Sequence, residues 1–422
     1  MDRQGKTEYM LSPYRVLDLT DEKGFLCGKI LGDLGADVIK VERPGGDPAR
    51  KIGPFYEDVP DPEKSLYWFA YNNNKRGITL NVETADGREL FKRLVKTADI
   101  VVESFPPGHM DELGLGHSAL SQITEGKVVM TSISPFGQNG PYRHYKASDI
   151  GIMAMSGSMY LLGDTDRPPV RTSIPVSYMW AGSYAALGTL MALFHRQMTG
   201  QGQHVDVSAQ ASAAWAADTG PFYWEADGTM TKREGNAIAG RSIHGAVMRA
   251  AYPCKDGYIC WLIYGARSGA ITNKEMVKWM DEKGMATDWL KAQDWDKFDP
   301  AHATQEDFDR IMEPVSNFLG TVSKKEFQEE AVKKRIMGYP VSTPKDIMEH
   351  PQLAAREVWQ DVEHPELGTP ITYPGPWVKL SQSSCGIRRR APLIGEHNHD
   401  IYVGELGLSE DELKESKERG II

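Results

Sequence analysis

Residues 14–42 read YRVLDLTDEKGFLCGKILGDLGADVIKVE, and this stretch decides the fold. Residues 14–19 (YRVLDL) are a short run of β-forming type. From Phe25 to Leu34 the apolar residues fall at helical spacing, and residues 37–42 (DVIKVE) form a second strand pattern stopped by the turn signal RPGGDP. Strand, helix and strand in this order predict a right-handed βαβ crossover and a parallel pair. The outline is that of a nucleotide-binding unit, yet Gly24, Gly28, Gly32 and Gly35 do not fit the G-x-G-x-x-G spacing. Gly28 and Gly32 therefore read as packing glycines that let the helix approach the sheet.

The rhythm continues outward. Thr84 is placed to cap the helix ADGRELFKRLVKTA, followed by the strands DIVVES and KVVMTSIS, a helix over about 180–197 and the strand QHVDVS. From about Gly220 it breaks. Residues 225–250 read as loop, AAYPCKDGYICWLIY as a hairpin turning at Lys255, Asp256 and Gly257, and SKKEFQEEAVKKR as an amphipathic helix. A proline-spaced strand region follows over 364–379. The expected fold is α/β: a doubly wound, mainly parallel large domain of nucleotide-binding type (residues 12–215 and 370–422) plus a smaller α+β domain (245–345). Residues 216–244 and 346–369 are the linkers.

Composition excludes several classes. With 48 Lys and Arg against 58 Asp and Glu, the net charge of −10 argues against a nucleic-acid partner. A 41% hydrophobic and 25% charged chain of 422 residues is ordinary for a globular protein with large cores. The first ten residues contain no apolar segment of secretory type, and residues 179–194, the most apolar run, are short for a membrane span. Cys27, Cys254, Cys260 and Cys385 lack metal-ligand spacing and read as buried free thiols. A cytoplasmic location is expected.

Several segments carry chemistry. They are VIKVERPGG (38–46), NNNKRGITLN (72–81), VVESFPPG (101–108), GPYRHYKASD (140–149), residues 171–206 (RTSIPVSYMWAGSYAALGTLMALFHRQMTGQGQHVD) and the closing RRRAPLIGEHNHDIYVGELGLSEDEL. Together they resemble the family III (CaiB/BaiF) CoA-transferases from Ser12 to the end of the chain. The resemblance implies coenzyme A or an acyl-CoA as substrate, no metal, and two chains threaded through each other as interlocked rings. It assigns CoA contacts to Arg43, Leu80, Ser104 (asparagine in the family), Phe105 and Lys146. Taken alone, Arg43 is a surface arginine and Leu80 a core leucine.

The departures are equally specific. Tyr178 stands where the family has its nucleophilic aspartate. A carboxylate attacking an acyl-CoA gives a mixed anhydride that free CoA thiolate reopens to an enzyme-bound thioester, which conserves the acyl activation. A phenol, mostly protonated at neutral pH, would give an ester of much lower transfer potential. Ser148 occupies the position of the histidine base in the related racemases, and Glu112 that of a family arginine. Residues 235–254 replace the glycine loop that shields the intermediates. No catalytic residue is therefore assigned.

The resemblance implies a subunit without its own nucleophile, joined in an interlocked heterodimer or heterotetramer with a homologous chain that supplies the aspartate. The implied reaction moves CoA from succinyl-CoA to benzylsuccinate or a related aryl- or alkyl-succinate. Tyr160, Trp180, Tyr184, Trp215, Phe222 and Trp224 would suit an aryl group or pack as core. The alternatives are a self-sufficient homodimer using another carboxylate, Glu103 or Asp149, and a CoA-thioester-binding protein without turnover. Asp149 reads first as a helix-start residue. His144, His204 and His244 read as structural, residues 388–390 as a solvated basic patch, and His397 and His399 as a pair without metal.

Overall fold

Six strands run parallel in one sheet: β1 (Arg15–Leu19), β2 (Asp37–Glu42), β3 (Lys75–Thr79), β4 (Ile100–Glu103), β5 (Val129–Ser134) and β6 (His204–Ser208). Their order is β3-β2-β1-β4-β5-β6, so the sequence of strands reverses between β1 and β4. The structure, a computed structural model, describes residues 9–217 and 219–422. The reading of the N-terminal ten residues falls mostly on 1–8, outside the described residues.

Helices cover both faces of the sheet, as the expected doubly wound architecture requires. After β1 comes α1 (Phe25–Asp33), then α2 (Leu66–Asn72), α3 (Ala85–Val95), α4 (His109–Glu112), α5 (His117–Ile123), α6 (Asp149–Met155) and the 24-residue α7 (Val176–Thr199). Val16, Leu31, Val102, Ala181 and Ala185 form the core beneath α1 and α7. Leu17, Phe91, Val101, Leu120, Tyr402 and Ile421 form the opposite core, under α3, α5 and the C-terminal residues. Thr84 caps α3 as expected, its Oγ accepting the Gly87 N–H at 3.0 Å.

β3 is a strand that periodicity does not announce, because KRGIT is polar and glycine-bearing. Its first residue is nevertheless fully buried. Lys75 Nζ lies 2.8 Å from an Asp18 carboxylate oxygen on β1, and both side chains are 0% exposed. The same ammonium donates to Asn72 Oδ1 at 2.9 Å and to the Phe25 carbonyl at 3.1 Å. On the strand between them, buried Lys40 donates to the Thr20 carbonyl at 2.5 Å. Gly28 of α1 lies directly over this cluster. A Cβ there would come within 2.1 Å of Asp18 Oδ2, and one on Gly32 within 3.0 Å of Asn74 Cβ, so both glycines serve close packing.

The C-terminal segment returns to this sheet. The Ile421 carbonyl accepts the Asn81 N–H at 2.7 Å, the Tyr402 hydroxyl donates to the Thr79 carbonyl at 2.8 Å, and Thr79 N–H donates to Asn398 Oδ1 at 2.9 Å. The basic run at 388–390 differs from the expected solvated patch. Arg388 donates to the Gly32 and Gly35 carbonyls at the end of α1, and Arg390 pairs with Glu366 and Glu396 at 2.8 and 2.7 Å. These arginines fasten the returning chain.

The chain divides into two compact units: Met1–Met159 with Arg171–Thr229 and Pro351–Ile422, and Tyr160–Val170 with Met230–His350. α8 (Ala209–Ala214) and α9 (Thr219–Asp227) belong to the first, so helix continues past the point where the pattern breaks. In the second unit, β7 (Ala237–Ile238) pairs with β8 (Met248–Arg249). The predicted hairpin is β9 (Ala251–Cys254) and β10 (Gly257–Trp261), with β11 (Gly338–Pro340) on its other side. Helices Ala266–Glu282, Gln305–Leu319 and Lys324–Lys334 enclose Trp261, Trp279, Phe308 and Phe318. The proline-spaced region forms the antiparallel pair β12 (Trp359–His364) and β13 (Thr369–Pro374) in the first unit. The four cysteines are free; Cys27 is buried, while the other three are half-buried rather than enclosed. Among the described residues no helix is long and apolar enough to cross a membrane.

Burial pushes the Asp18 carboxyl up, but Lys75 and Lys40 outweigh it and hold the group below its ordinary value. Removing one partner leaves an uncompensated buried charge. Lys75→Met should therefore lower the unfolding free energy by about 3–5 kcal/mol in urea titrations of the full chain. Adding Asp18→Asn should restore much of it. A single variant as stable as the parent would show that the pair does not stabilise the sheet.

Candidate functional site

A cavity of about 910 Å³ opens at the carboxyl ends of the strands, where the order reverses. All parallel strands release their loops at the same edge, so residues distant in sequence converge there. β1 contributes Leu19, Asp21, Glu22 and Lys23; β2 contributes Glu42 and Arg43; β3 is followed by Leu80, Asn81 and Val82; β4 is followed by Ser104, Phe105 and Pro106. The loop before α6 adds residues 143–147, and Gly420 closes one side. The volume is that of a cofactor-sized pocket.

Arg43, Leu80, Ser104, Phe105 and Lys146, named from the sequence, all line this single cavity. Leu80 is buried, its N–H donating to the Glu42 carbonyl at 2.7 Å, and its side chain gives the wall an apolar patch. Phe105 is half-buried and its ring lies 5.0 Å from His109, which in turn reaches Glu83 at 3.0 Å. Arg43 and Lys146 are exposed at the rim, as is Arg143, whose Nε donates to His144 Nε2 at 2.8 Å. Ser104 has a defined local task. Its hydroxyl donates to Asp21 Oδ1 and accepts the Asp21 N–H, both at 2.8 Å, which ties the loops after β1 and β4 together across the reversal point.

Other residues named from the sequence do not line the cavity. Glu112 is exposed on α4 and Ser148 is exposed at the start of α6. Tyr178 is buried in the first turn of α7, its hydroxyl taking a backbone hydrogen bond from Asp149. Burial pushes its phenol well above the ordinary value, with Glu22 and Asp21 adding to the effect. Asp149 accepts the Ser177 N–H at 3.0 Å and the Ser177 hydroxyl at 2.7 Å, so it joins the start of α6 to that of α7. Glu103 is buried at the end of β4, accepting the Phe105 N–H at 2.7 Å. Neither carboxylate reaches the cavity.

The histidines serve local contacts. His204 Nε2 meets Ser132 Oγ at 2.8 Å, His397 Nδ1 accepts the Gly77 N–H at 3.1 Å, and His399 pairs with Glu410. Among the described residues no three His, Cys, Asp or Glu side chains converge as metal ligands. None of the six aromatic residues named with Tyr178 lines the cavity: Tyr160, Tyr184, Trp215, Phe222 and Trp224 are exposed, and Trp180 alone packs, partly buried, against the core beneath α1 and α7.

Asp21 and Glu22 are among the cavity residues that sequence reasoning missed, as are Lys23 and Arg143. The signal for Asp21 and Glu22 was positional, since the loop after the first strand of a doubly wound sheet borders the ligand crevice. Burial, and the neighbouring charge of Asp21, raise the Glu22 carboxyl above its ordinary value.

The comparisons agree with this fold. The CoA-transferase family III model matches residues 11–398, and the chain belongs to that family. It is 37% identical over 400 residues to the succinyl-CoA:(R)-benzylsuccinate CoA-transferase subunit BbsE of Thauera aromatica, covering 93% of each chain. It is 33% identical to a formyl-CoA:oxalate CoA-transferase of Streptomyces avermitilis, covering 98% of this chain and 99% of that one. Among solved structures, a CaiB/BaiF family protein from Brucella suis superposes with a TM-score of 0.81 at 26% identity, covering 94% of this chain and 100% of that one.

Burial pushes Glu103 up to about 7 from an ordinary 4.5. Folding therefore favours its protonated form, and this contribution is complete below the unfolded value and lost as the pH rises past the folded one. Glu103→Gln keeps an acceptor for the Phe105 N–H without the charge. It should melt close to the parent at pH 5 and above it at pH 8; an equal difference at both pH values would refute the assignment.

Proposed function

We propose that this chain is a non-catalytic subunit of a hetero-oligomeric CoA-transferase. Its cavity holds coenzyme A or an acyl-CoA. A homologous partner with an aspartate at the Tyr178 position carries out acyl transfer from succinyl-CoA to benzylsuccinate or a related aryl- or alkyl-succinate. The observation that carries this reading is the state of Tyr178 and its neighbours. The phenol is buried and held protonated, while Asp149 and Glu103 are spent on backbone and hydroxyl contacts. No group of the usual nucleophilic kind is offered at that position.

The cavity supports the binding half of the proposal. Arg43, Arg143 and Lys146 suit nucleotide phosphates, Leu80 suits the adenine, and Phe105 borders the path of a pantetheine arm. The surface supports the partner half. Along α7, Tyr184, Leu187, Met191, Phe194 and Met198 recur at intervals of three and four residues and are between 40% and 73% exposed. An uncovered apolar stripe of this regularity is what a helix presents to another chain. Trp215, Phe222 and Trp224 extend the exposed apolar surface of the same unit. A chain of the same fold, interlocked with this one, is the partner it suits. Free thiols accord with a reducing, cytoplasmic setting.

Coexpression with an aspartate-bearing homologue tests the proposal. The purified single chain should show no exchange between succinyl-CoA and benzylsuccinate, and activity should appear only in the complex. CoA exchange by the single chain, with a hydroxylamine-sensitive acyl adduct on it, would refute the non-catalytic assignment.

A further inference from the structure

The cavity carries both signs of charge. Arg43 follows β2, Arg143 and Lys146 lie in the loop after β5, and between these flanks the turn after β1 presents Asp21 and Glu22, with Lys23 beside them. In doubly wound folds a pyrophosphate usually sits at the first strand-to-helix turn, against the N-terminus of the following helix. Here that turn carries two carboxylates, which repel phosphate at close range. This turn is therefore the part of the cavity least suited to phosphate, and Glu22 and Asp21 lie near enough to Tyr178, at the position where the resemblance puts the acyl-accepting group, to act on its phenol.

The two carboxylates differ in their engagement. Asp21 is paired with Lys23 and hydrogen-bonded by Ser104 at 2.8 Å. Glu22 is half-buried, and its side chain is met by its own backbone N–H, with no ion-pair partner at hydrogen-bond distance among the described residues. Asp21 and Asp47 add negative charge around it, and Lys23 is the cation that partly offsets them. The hydroxyls of Tyr67 and Tyr178 also lie within its field, and neither carries a compensating positive charge.

Resting on the CoA-cavity reading above, we infer that this cavity accepts free CoA or an uncharged acyl thioester and rejects an acyl group ending in a carboxylate, with Glu22 as the specificity-determining residue. A second carboxylate brought beside Glu22 meets direct repulsion in a half-buried site, where solvent screens poorly. A dicarboxylic acyl-CoA such as succinyl-CoA is then handled on the partner's site alone. The asymmetry between the two chains thus extends from the nucleophile to the ligand that each can hold.

Isothermal titration of the full single chain with CoA, butyryl-CoA and succinyl-CoA tests this directly. Butyryl-CoA and CoA should bind, and succinyl-CoA should bind at least about tenfold more weakly. Glu22→Gln should bring succinyl-CoA to within about threefold of butyryl-CoA, with Glu22→Ala doing the same if the glutamine perturbs the loop. Arg43→Ala should weaken all three ligands alike. Equal binding of succinyl-CoA and butyryl-CoA by the parent, or a gap unchanged in both Glu22 variants, overturns the inference. Failure of all three compounds to bind would instead remove the CoA-cavity reading, and this inference with it.

Discussion

The buried ion pair between Asp18 and Lys75 is the constraint on which the rest of the large unit depends. It spans β1 to β3 across β2, whose own buried Lys40 adds a third charge to the same layer. Burying such charges is costly unless each finds a partner, so the cluster tolerates only one arrangement of the three strands. A one-residue slip of β3 would turn Lys75 to the opposite face and leave Asp18 alone in the core. α1 can lie over the pair because Gly28 has no side chain to collide with Asp18. With β1 and α1 held in this way, the intervening loop is carried to the reversal point, where Asp21 and Glu22 enter the cavity wall.

The site follows from that geometry and from what the chain has done with its carboxylates. Asp149, Glu103 and Asp21 are each tied to neighbouring groups, and only Asp21 of the three lines the cavity. Ser104 is the clearest example. At a position where the resemblance implies a ligand contact, its hydroxyl is consumed in joining the loops after β1 and β4. The cavity keeps cations and an apolar wall suited to a nucleotide thioester, whereas the position of the usual nucleophile is filled by a buried phenol. On the proposed reading, a family III fold retains a ligand-sized cavity without its acyl-transfer groups, since sheet packing and loop convergence do not depend on them.

The outer surface of α7 belongs to the same account. Its inward face, with Ala181, Ala185 and Thr189, packs against α1 and β5. Its outward stripe is apolar and uncovered, as is the surface around Trp215 and Trp224. The helix thus has one apolar face packed within the chain and a second left exposed, and the second face is the one the proposed partner would cover.

The amino-acid sequence by itself determined the elements with regular local patterns: β1, α1 and β2, the Thr84-capped α3, α7, and the β9–β10 hairpin. These follow from hydrophobic period and capping, which are local properties of the chain. Its motifs also brought Arg43, Leu80, Phe105 and Lys146 to notice together, and the fold sets all four on one cavity. The remaining features depend on contacts between distant parts of the chain. KRGIT is a strand because Asp18, fifty-seven residues earlier, neutralises Lys75. Arg388 and Arg390 are fasteners because the carbonyl-rich end of α1 lies beneath the first and Glu366 and Glu396 face the second. Glu112 and Ser148 stand outside the cavity while Asp21 and Glu22 line it, because strand order rather than sequence proximity selects which loops meet. Charge pairing and loop convergence depend on residues far apart in the chain, and a local pattern cannot express them.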